Sequence, residues 1–273
     1  MVVVDLDGVI WLGSEPIPGG AEAIAQLRAV GARVVFLTNN SMPTRLQLRG
    51  KLARMGIDCG DDELINSPQA AASLLHAGER VLIVGGAGIV EAVEVAGCIP
   101  VPAGKGMVPA IAPGGVSAET SASATEPRLD ADVGGVIVGL DLRFDYRRLA
   151  EASAAIRRGA RFIATNDDST YPVPGGLTPG GGAIVAAIAT AAGTQPVIAG
   201  KPHDPIVRLL EERVGRVDVV IGDRPSTDGA LARRLGARFA LVTTGVTAGG
   251  GAEAAAADVV APSLSDVVPL VLA

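Results

Sequence analysis

Residues 1–8 read Met1-Val2-Val3-Val4-Asp5-Leu6-Asp7-Gly8, and this stretch decides the fold. A β-branched run breaks at Asp7-Gly8, so a strand delivers two carboxylates into a turn. The run is apolar throughout, with no polar alternation, as a sheet covered on both faces requires. The chain then repeats the pattern. Residues 20–30 predict a helix closed by Gly31, and residues 33–37 a second apolar strand ending at Thr38-Asn39-Asn40-Ser41. Residues 44–55 predict another helix, stopped at Gly56. Strand, turn and helix in this order predict βαβ units and a parallel sheet.

The middle is less regular. Residues 80–84 predict a strand ending in Gly85-Gly86-Ala87-Gly88, followed by a short helix. Residues 102–135 are rich in Pro, Gly, Ala, Ser and Thr and read as a long surface loop. Strands follow at 136–138 and 161–164, with a helix at 146–158 between them. Then come Asn166-Asp167-Asp168 and the Pro/Gly-rich stretch 172–182. Residues 183–192 predict a helix and 196–198 a strand. The last third alternates again, with helices at 204–214 and 229–235 and strands at 218–221 and 239–242. The simplest α/β architecture is a doubly wound parallel-sheet core built from residues 1–67 and 179–273. A second α/β unit, residues 68–178, is inserted in it.

Composition narrows the function classes. The 273 residues are 48% hydrophobic and 19% charged, with a net charge of −6. That supports a packed core and gives no basic field for nucleic acid. The longest clean apolar run, residues 183–192, is far short of a membrane span, and the N-terminus lacks a signal core, so a cytoplasmic protein without a membrane partner is expected. Cys59 and Cys98 are not spaced as a redox or zinc pair, and no disulfide is expected.

Four polar clusters end predicted strands, at the edge where open α/β sheets bind ligands. Asp5-Leu6-Asp7-Gly8 offers one carboxylate as nucleophile and another for proton transfer, although an ordinary Asp-Gly turn would read the same. Thr38-Asn39-Asn40-Ser41 suits a phosphate or a polar helix cap. Gly200-Lys201-Pro202 fixes a cation, or a plain surface lysine. In Gly222-Asp223-Arg224-Pro225-Ser226-Thr227-Asp228, Asp223 could ligate Mg²⁺, with Asp228 supporting the metal or Lys201. Each cluster is weak alone; their order along one expected sheet edge is not.

That order, with WLGSEPIPGGAEAIAQLRAVG, FLTNNS, VGLDLRFDYRRLAEA, FIATNDDSTYP, GGAIVAAI, GKPHDPI and GDRPSTD, resembles the haloacid dehalogenase superfamily. Within it the chain is similar to the class IIA phosphatases, which include 4-nitrophenylphosphatase-like, ribonucleotide monophosphatase-like, phosphoglycolate and glycerol-3-phosphate phosphatases. The resemblance implies a Rossmann-like core with a C2-type cap and a Mg²⁺-dependent phosphomonoesterase of small phosphorylated metabolites. It implies that Asp5 attacks phosphorus and that Asp7 protonates the leaving oxygen and then activates water. Thr38 and Asn39, with Asn40 beside them, hold phosphoryl oxygens, and Lys201 balances charge. Mg²⁺ sits on Asp5, the Asp7 carbonyl and Asp223. Gly8, Gly222, Asp228 and Asn166 are supporting, with Asn166 structural or at the site mouth. A homodimer through the cap is a further implication.

There are departures. Ser226 stands where the family usually carries Asp, so weaker support around Asp223 is expected. The chain starts close before Asp5, so a short first strand or a misassigned start is expected. Asp7 argues against a dehalogenase. The only cap lysine, Lys105, lies in a poorly matching loop, which argues against a phosphonatase. A phosphomutase, a nucleoside monophosphate phosphatase and a non-catalytic phosphate-binding protein stay open. Gly86-Ala87-Gly88 begins like a dinucleotide fingerprint but lacks the third glycine, and it is read as a tight turn.

Overall fold

The computed structural model describes residues 1–104, 133–173, 175–247 and 256–273. Most of the expected 102–135 loop, Lys105 included, lies outside the described residues.

The chain opens with β1 (Val2–Val4), a small hairpin of β2 (Trp11–Leu12) and β3 (Glu15–Pro16), and α1 (Gly20–Ala29). β4 (Val34–Thr38), α2 (Arg45–Arg54), β5 (Leu64–Asn66) and α3 (Ser67–Ala72) follow. Thr44 starts α2 through a capping box: its side chain accepts from the Gln47 N–H at 3.1 Å, and Gln47 Oε1 accepts from the Thr44 N–H at 2.9 Å.

The next group is β6 (Arg80–Val84), α4 (Ala87–Val95), β7 (Ile99–Pro102), β8 (Gly135–Val138), α5 (Tyr146–Arg157) and β9 (Arg161–Ala164). A second hairpin, β10 (Thr170–Val173) and β11 (Gly176–Pro179), leads into α6 (Gly181–Ala192) and β12 (Val197–Ile198). The chain closes with α7 (Asp204–Val214), β13 (Val219–Gly222), α8 (Ala230–Leu235), β14 (Arg238–Val242), β15 (Val259–Ala261) and α9 (Leu264–Leu272).

Two parallel sheets result. The first has six strands in the order β15-β14-β13-β1-β4-β5, and the second has five in the order β12-β9-β8-β6-β7. β1 lies between β13 and β4, with Val3 opposite Val220 and Val35, so the carboxylates after β1 emerge at the middle of the first sheet. This is the doubly wound α/β core expected, with a second α/β unit beside it.

The sequence boundary at 178/179 does not match the strand pairing. β12 pairs with β9, Val197 opposite Ile163. Ile184, Val185, Ile188 and Ala189 of α6 pack in the same apolar cluster as Val136, Val138 and Phe162. Residues 181–198 therefore belong with the second sheet. α6 is apolar and β12 has two residues, so neither carries a pattern that names its sheet.

One apolar cluster joins the units: Val3, Val35 and Ile65 of the first sheet, Leu209 and Leu210 of α7, Ile89 and Val93 of α4, and Ile83 and Ile137 of the second sheet. Gly86 and Gly88 permit this seam. A Cβ on Gly86 would sit 2.5 Å from the Met42 Cα, and one on Gly88 would overlap the Pro43 carbonyl. The glycine pair read as a tight turn is a close approach between units. Ile89→Ala empties a fully buried seam position and is expected to cost about 3 kcal/mol in urea unfolding.

No helix among the described residues is long and apolar enough to cross a membrane. Cys59 and Cys98 are free thiols. Burial, and then Glu63, push the Cys59 thiol up to about 11. Its alkylation at pH 8 is expected to run about tenfold slower than that of free cysteine, because the thiolate loss outweighs the gain in nucleophilicity.

Candidate active site

Asp5 leaves the C-terminal end of β1 and Asp223 follows β13. Asp228 lies behind them in a single π-helical turn, Pro225–Gly229. One carboxylate oxygen from each of the three lies within 4.8 Å of the others, and all three residues are buried. The backbone is shaped around them. Gly8 has φ +87, and a Cβ there would sit 2.5 Å from Asp223 Oδ2. A Cβ on Gly222 would overlap the Asp228 carboxyl.

Lys201, 3% exposed, ion-pairs with two of the carboxylates: Nζ donates to Asp5 Oδ1 at 2.7 Å and to Asp228 Oδ1 at 2.6 Å. It arrives from β12, so it comes from the second sheet. The expectation that all four clusters share one sheet edge is corrected on this point: Asp5, Thr38 and Asp223 end strands of the first sheet, and Lys201 reaches across. The Asn39 amide seats it, with Oδ1 accepting from the Lys201 N–H at 2.8 Å and Nδ2 donating to the Lys201 carbonyl at 3.2 Å. Gly200 makes room, since a Cβ there would overlap Asn39 Oδ1 and the Thr165 carbonyl.

The charges do not balance. Burial raises the Asp5 carboxyl well above its usual range against the pull of Lys201, with Asp228 and Asp223 adding to the rise. Burial, then Asp228, push Asp223 up to about 6. Burial alone would lower Lys201, but Asp228 and Asp5 hold it above its ordinary value. The oxygens divide unequally. Asp228 Oδ1 takes Lys201 and Oδ2 takes the Arg224 N–H at 3.2 Å, so both its oxygens are used. Asp223 Oδ2 takes the Val246 N–H at 2.7 Å, and Asp5 uses Oδ1 alone. Among the described residues, Asp5 Oδ2 and Asp223 Oδ1 carry no hydrogen bond and are left for a ligand.

Asp7 faces the other side of the cavity. Its Oδ1 accepts from Trp11 Nε1 at 2.8 Å and from the Tyr171 hydroxyl at 2.9 Å. Its Oδ2 accepts from Thr38 Oγ1 at 3.3 Å and Asn40 Nδ2 at 3.5 Å. Lys51 Nζ lies 3.8 Å from the Trp11 ring centroid and donates to the Gly13 carbonyl at 2.6 Å, which locks the indole. Asp7 also sits opposite Tyr171 of the β10–β11 hairpin, whose hydroxyl burial, and then Asp7, push far up.

The second unit closes the site. Asn166 Nδ2 donates to the Asn39 carbonyl at 2.8 Å, and the residue is buried in the lining of the cavity. Asp168 accepts from Asn39 Nδ2 at 3.0 Å and Arg224 Nη1 at 3.3 Å. Asp167 pairs with His203 at 3.2 Å, away from the cluster. Ser226 is exposed and bonds none of the carboxylates. Trp11, Tyr171 and Arg224 touch the site, and sequence reasoning assigned none of them a role in it. Trp11 and Tyr171 were detectable only as rarities in a chain that is 3% aromatic.

The cavity between Asp5, Asp7, Thr38, Lys201, Tyr171 and Arg224 holds about 60 Å³, room for a few waters or one small anion. Past Asn40, Leu140 and Tyr171 it meets a far larger groove of about 1230 Å³ between α2 and the second unit, walled by Met42, Leu48, Phe144 and Ile184. Gly8→Ala is expected to cost about 2 kcal/mol in thermal unfolding and to push Asp223 out of line, because the left-handed φ and the contact with Asp223 both oppose a methyl group.

The family model for haloacid dehalogenase-like hydrolases matches residues 2–99, and a second model of the same superfamily matches 198–267. The chain is 34% identical to D-glycerol 3-phosphate phosphatase of Mycobacterium tuberculosis H37Rv over 90% of its own length, and spans 63% of that relative. It is 33% identical to phosphoglycolate phosphatase 2 of Arabidopsis thaliana, over 89% of this chain and 82% of the relative. The crystal structure of the M. tuberculosis glycerol phosphate phosphatase in complex with magnesium superposes with a TM-score of 0.78 at 30% identity, over 97% of this chain and 76% of that one. With a family model over residues 2–99, a second over 198–267 and a relative 33% identical that is covered to 82%, the chain belongs to the haloacid dehalogenase-like hydrolases.

Proposed function

We propose that the protein is a Mg²⁺-dependent phosphomonoesterase of small phosphorylated metabolites, with glycerol 3-phosphate, phosphoglycolate and aryl phosphates as the leading substrates. One observation carries the reading. Three buried carboxyl groups share one ammonium at the floor of a cavity the size of a small anion, and burial with mutual repulsion raises Asp5 and Asp223, so the protein itself leaves an acidic excess there uncompensated. A divalent cation fits that excess, and the donor set suits Mg²⁺, which takes one or two carboxylates and other oxygens. Asp5 Oδ2 and Asp223 Oδ1 would hold it, with the Asp7 carbonyl. When bound, it supplies positive charge for the phosphoryl oxygens.

The side chains then divide the work. Asp5 attacks phosphorus, the bond from phosphorus to the leaving oxygen breaks, and Asp7 protonates that oxygen. Water, deprotonated by Asp7, then attacks the phosphoryl group on Asp5 and frees inorganic phosphate. Thr38 and the Asn39–Asn40 turn line the phosphoryl pocket, and Lys201 holds Asp5 and offsets its charge. Trp11, Thr38 and Tyr171 aim Asp7. The second unit, extending to Ile198, is the cap. Tyr171 and Arg224 tie it to the site, and the groove beyond Tyr171 receives the leaving group. A homodimer through the cap belongs to the same reading and is testable by sedimentation velocity.

Phosphate release from a panel of phosphomonoesters, with Mg²⁺ and with EDTA, tests the reading. Metal-dependent release supports it. No release from any ester by folded, metal-binding protein would overturn it in favour of a binding role. Tyr171→Phe removes one of the donors to Asp7 and is expected to lower kcat about tenfold, the worth of one hydrogen bond to a charged group.

A further inference from the structure

We propose a second anion-binding site, at the seam between the two units and separate from the carboxylate cluster. There Arg45, Arg213 and Asn66 take the phosphate or carboxylate headgroup of a small organic anion. The pocket holds about 240 Å³ between α2, α3, α4 and α7. Two of its buried donor atoms, Asn66 Nδ2 and Arg45 Nε, lack acceptors among the described residues. Asn66, 1% exposed, caps α3: its Oδ1 accepts from the Gln69 N–H at 3.1 Å, and its N–H donates to Gln69 Oε1 at 3.0 Å. The oxygen is thereby fixed, so Nδ2 is the free end, and it is buried with no partner among the described residues. Flipping the amide would set the NH₂ group against the Gln69 N–H and lose the cap.

Arg45 repeats the situation. Its guanidinium reaches the Asp61 carbonyl and lies 3.8 Å from the Asp61 carboxylate, while its buried Nε has no acceptor. Arg213 makes no ion pair among the described residues. Partial burial, and then Arg45, lower its pKa against a smaller opposing pull from Glu212. Among the described residues Glu91 is the one carboxylate lining the pocket, and its Oε2 is engaged by the Arg45 N–H at 2.7 Å. Among its lining residues two arginines meet one glutamate, with Asp61 outside the pocket beside Arg45 and Glu212 acting on Arg213. Ala72, Val95, Ala96 and Leu209 add an apolar wall, which suits a short carbon body behind the headgroup. Buried donors without partners are rare in folded proteins, and two in one cavity point to a missing acceptor. An occupant would touch α2 and α7 of the core and α4 of the cap, bridging the parts that move if the cap opens.

The site stands whether or not the carboxylate cluster is a phosphatase. Calorimetric titration of the full chain with inorganic phosphate, and separately with succinate, tests it in wild type, Arg213→Ala and Val95→Glu. Both positions are solvent-exposed, so folding is retained, as thermal unfolding will verify. The expected result is one isotherm in wild type, for either probe, whose Kd rises at least tenfold in both variants. Any phosphate binding at the carboxylate cluster is untouched by them. Phosphate alone, or succinate alone, would name the headgroup. Isotherms identical in all three proteins for both probes would overturn the proposal.

Discussion

Asp5→Asn is expected to abolish phosphate release, by on the order of 10⁴-fold or more, while the metal-free protein becomes no less stable. The chemical loss follows from the nucleophile: the amide has no anionic oxygen to attack phosphorus, and a 10⁴-fold loss is about 5.4 kcal/mol of barrier. The stability follows from the charges. Asp5 is one of three buried carboxylates, and burial together with Asp228 and Asp223 raises its pKa against Lys201. A neutral amide removes part of that repulsion, and Lys201 keeps Asp228 at 2.6 Å. Steady-state assay beside thermal unfolding checks both halves. An inactive variant that has also unfolded would say nothing of the nucleophile, so the two measurements belong together.

Lys201→Met is expected to do the opposite to stability. It leaves Asp5 and Asp228 buried without their shared ammonium, and breaking a buried pair from one side costs about 3 kcal/mol or more. Activity is expected to fall on the order of 10³-fold, the scale for losing one positioned charge at a reaction centre. Chemical denaturation at neutral pH reads the first and kcat the second. Added Mg²⁺ is expected to recover part of the stability, because it neutralises the same carboxylates, but not the activity. A variant as stable as wild type without metal would contradict the charge arrangement described.

How much of this was legible in the sequence depends on distance along the chain. Asp5, Asp7, Thr38 and Asp223 were readable because each ends a core strand, and a strand end is a local signal. Asp228 and Gly222 were readable with Asp223 because a single turn joins them. The partners of Asp7 were not. Trp11 is close in sequence, but its role depends on a hairpin of two-residue strands. Tyr171 meets Asp7 across 164 positions, which no periodicity reports. Lys201 was identified but assigned to the wrong sheet, since β12 is too short to declare its neighbour. The same shortness, with an apolar α6, displaced the expected boundary between the units from Ile198 to residue 178. Gly86 and Gly88 show the converse. Their spacing suggested a turn or a cofactor loop, and the contact with Met42 and Pro43 explains them as packing.

The central claim is that Asp5 carries the phosphoryl group between two steps. Its most direct test is acid quenching of the wild-type enzyme during turnover with Mg²⁺, followed by mass spectrometry of the N-terminal peptide. The account predicts one phosphoryl group on Asp5, absent in Asp5→Asn. Phosphate release that proceeds with no phosphoryl group on this peptide, and that survives in Asp5→Asn, would contradict it.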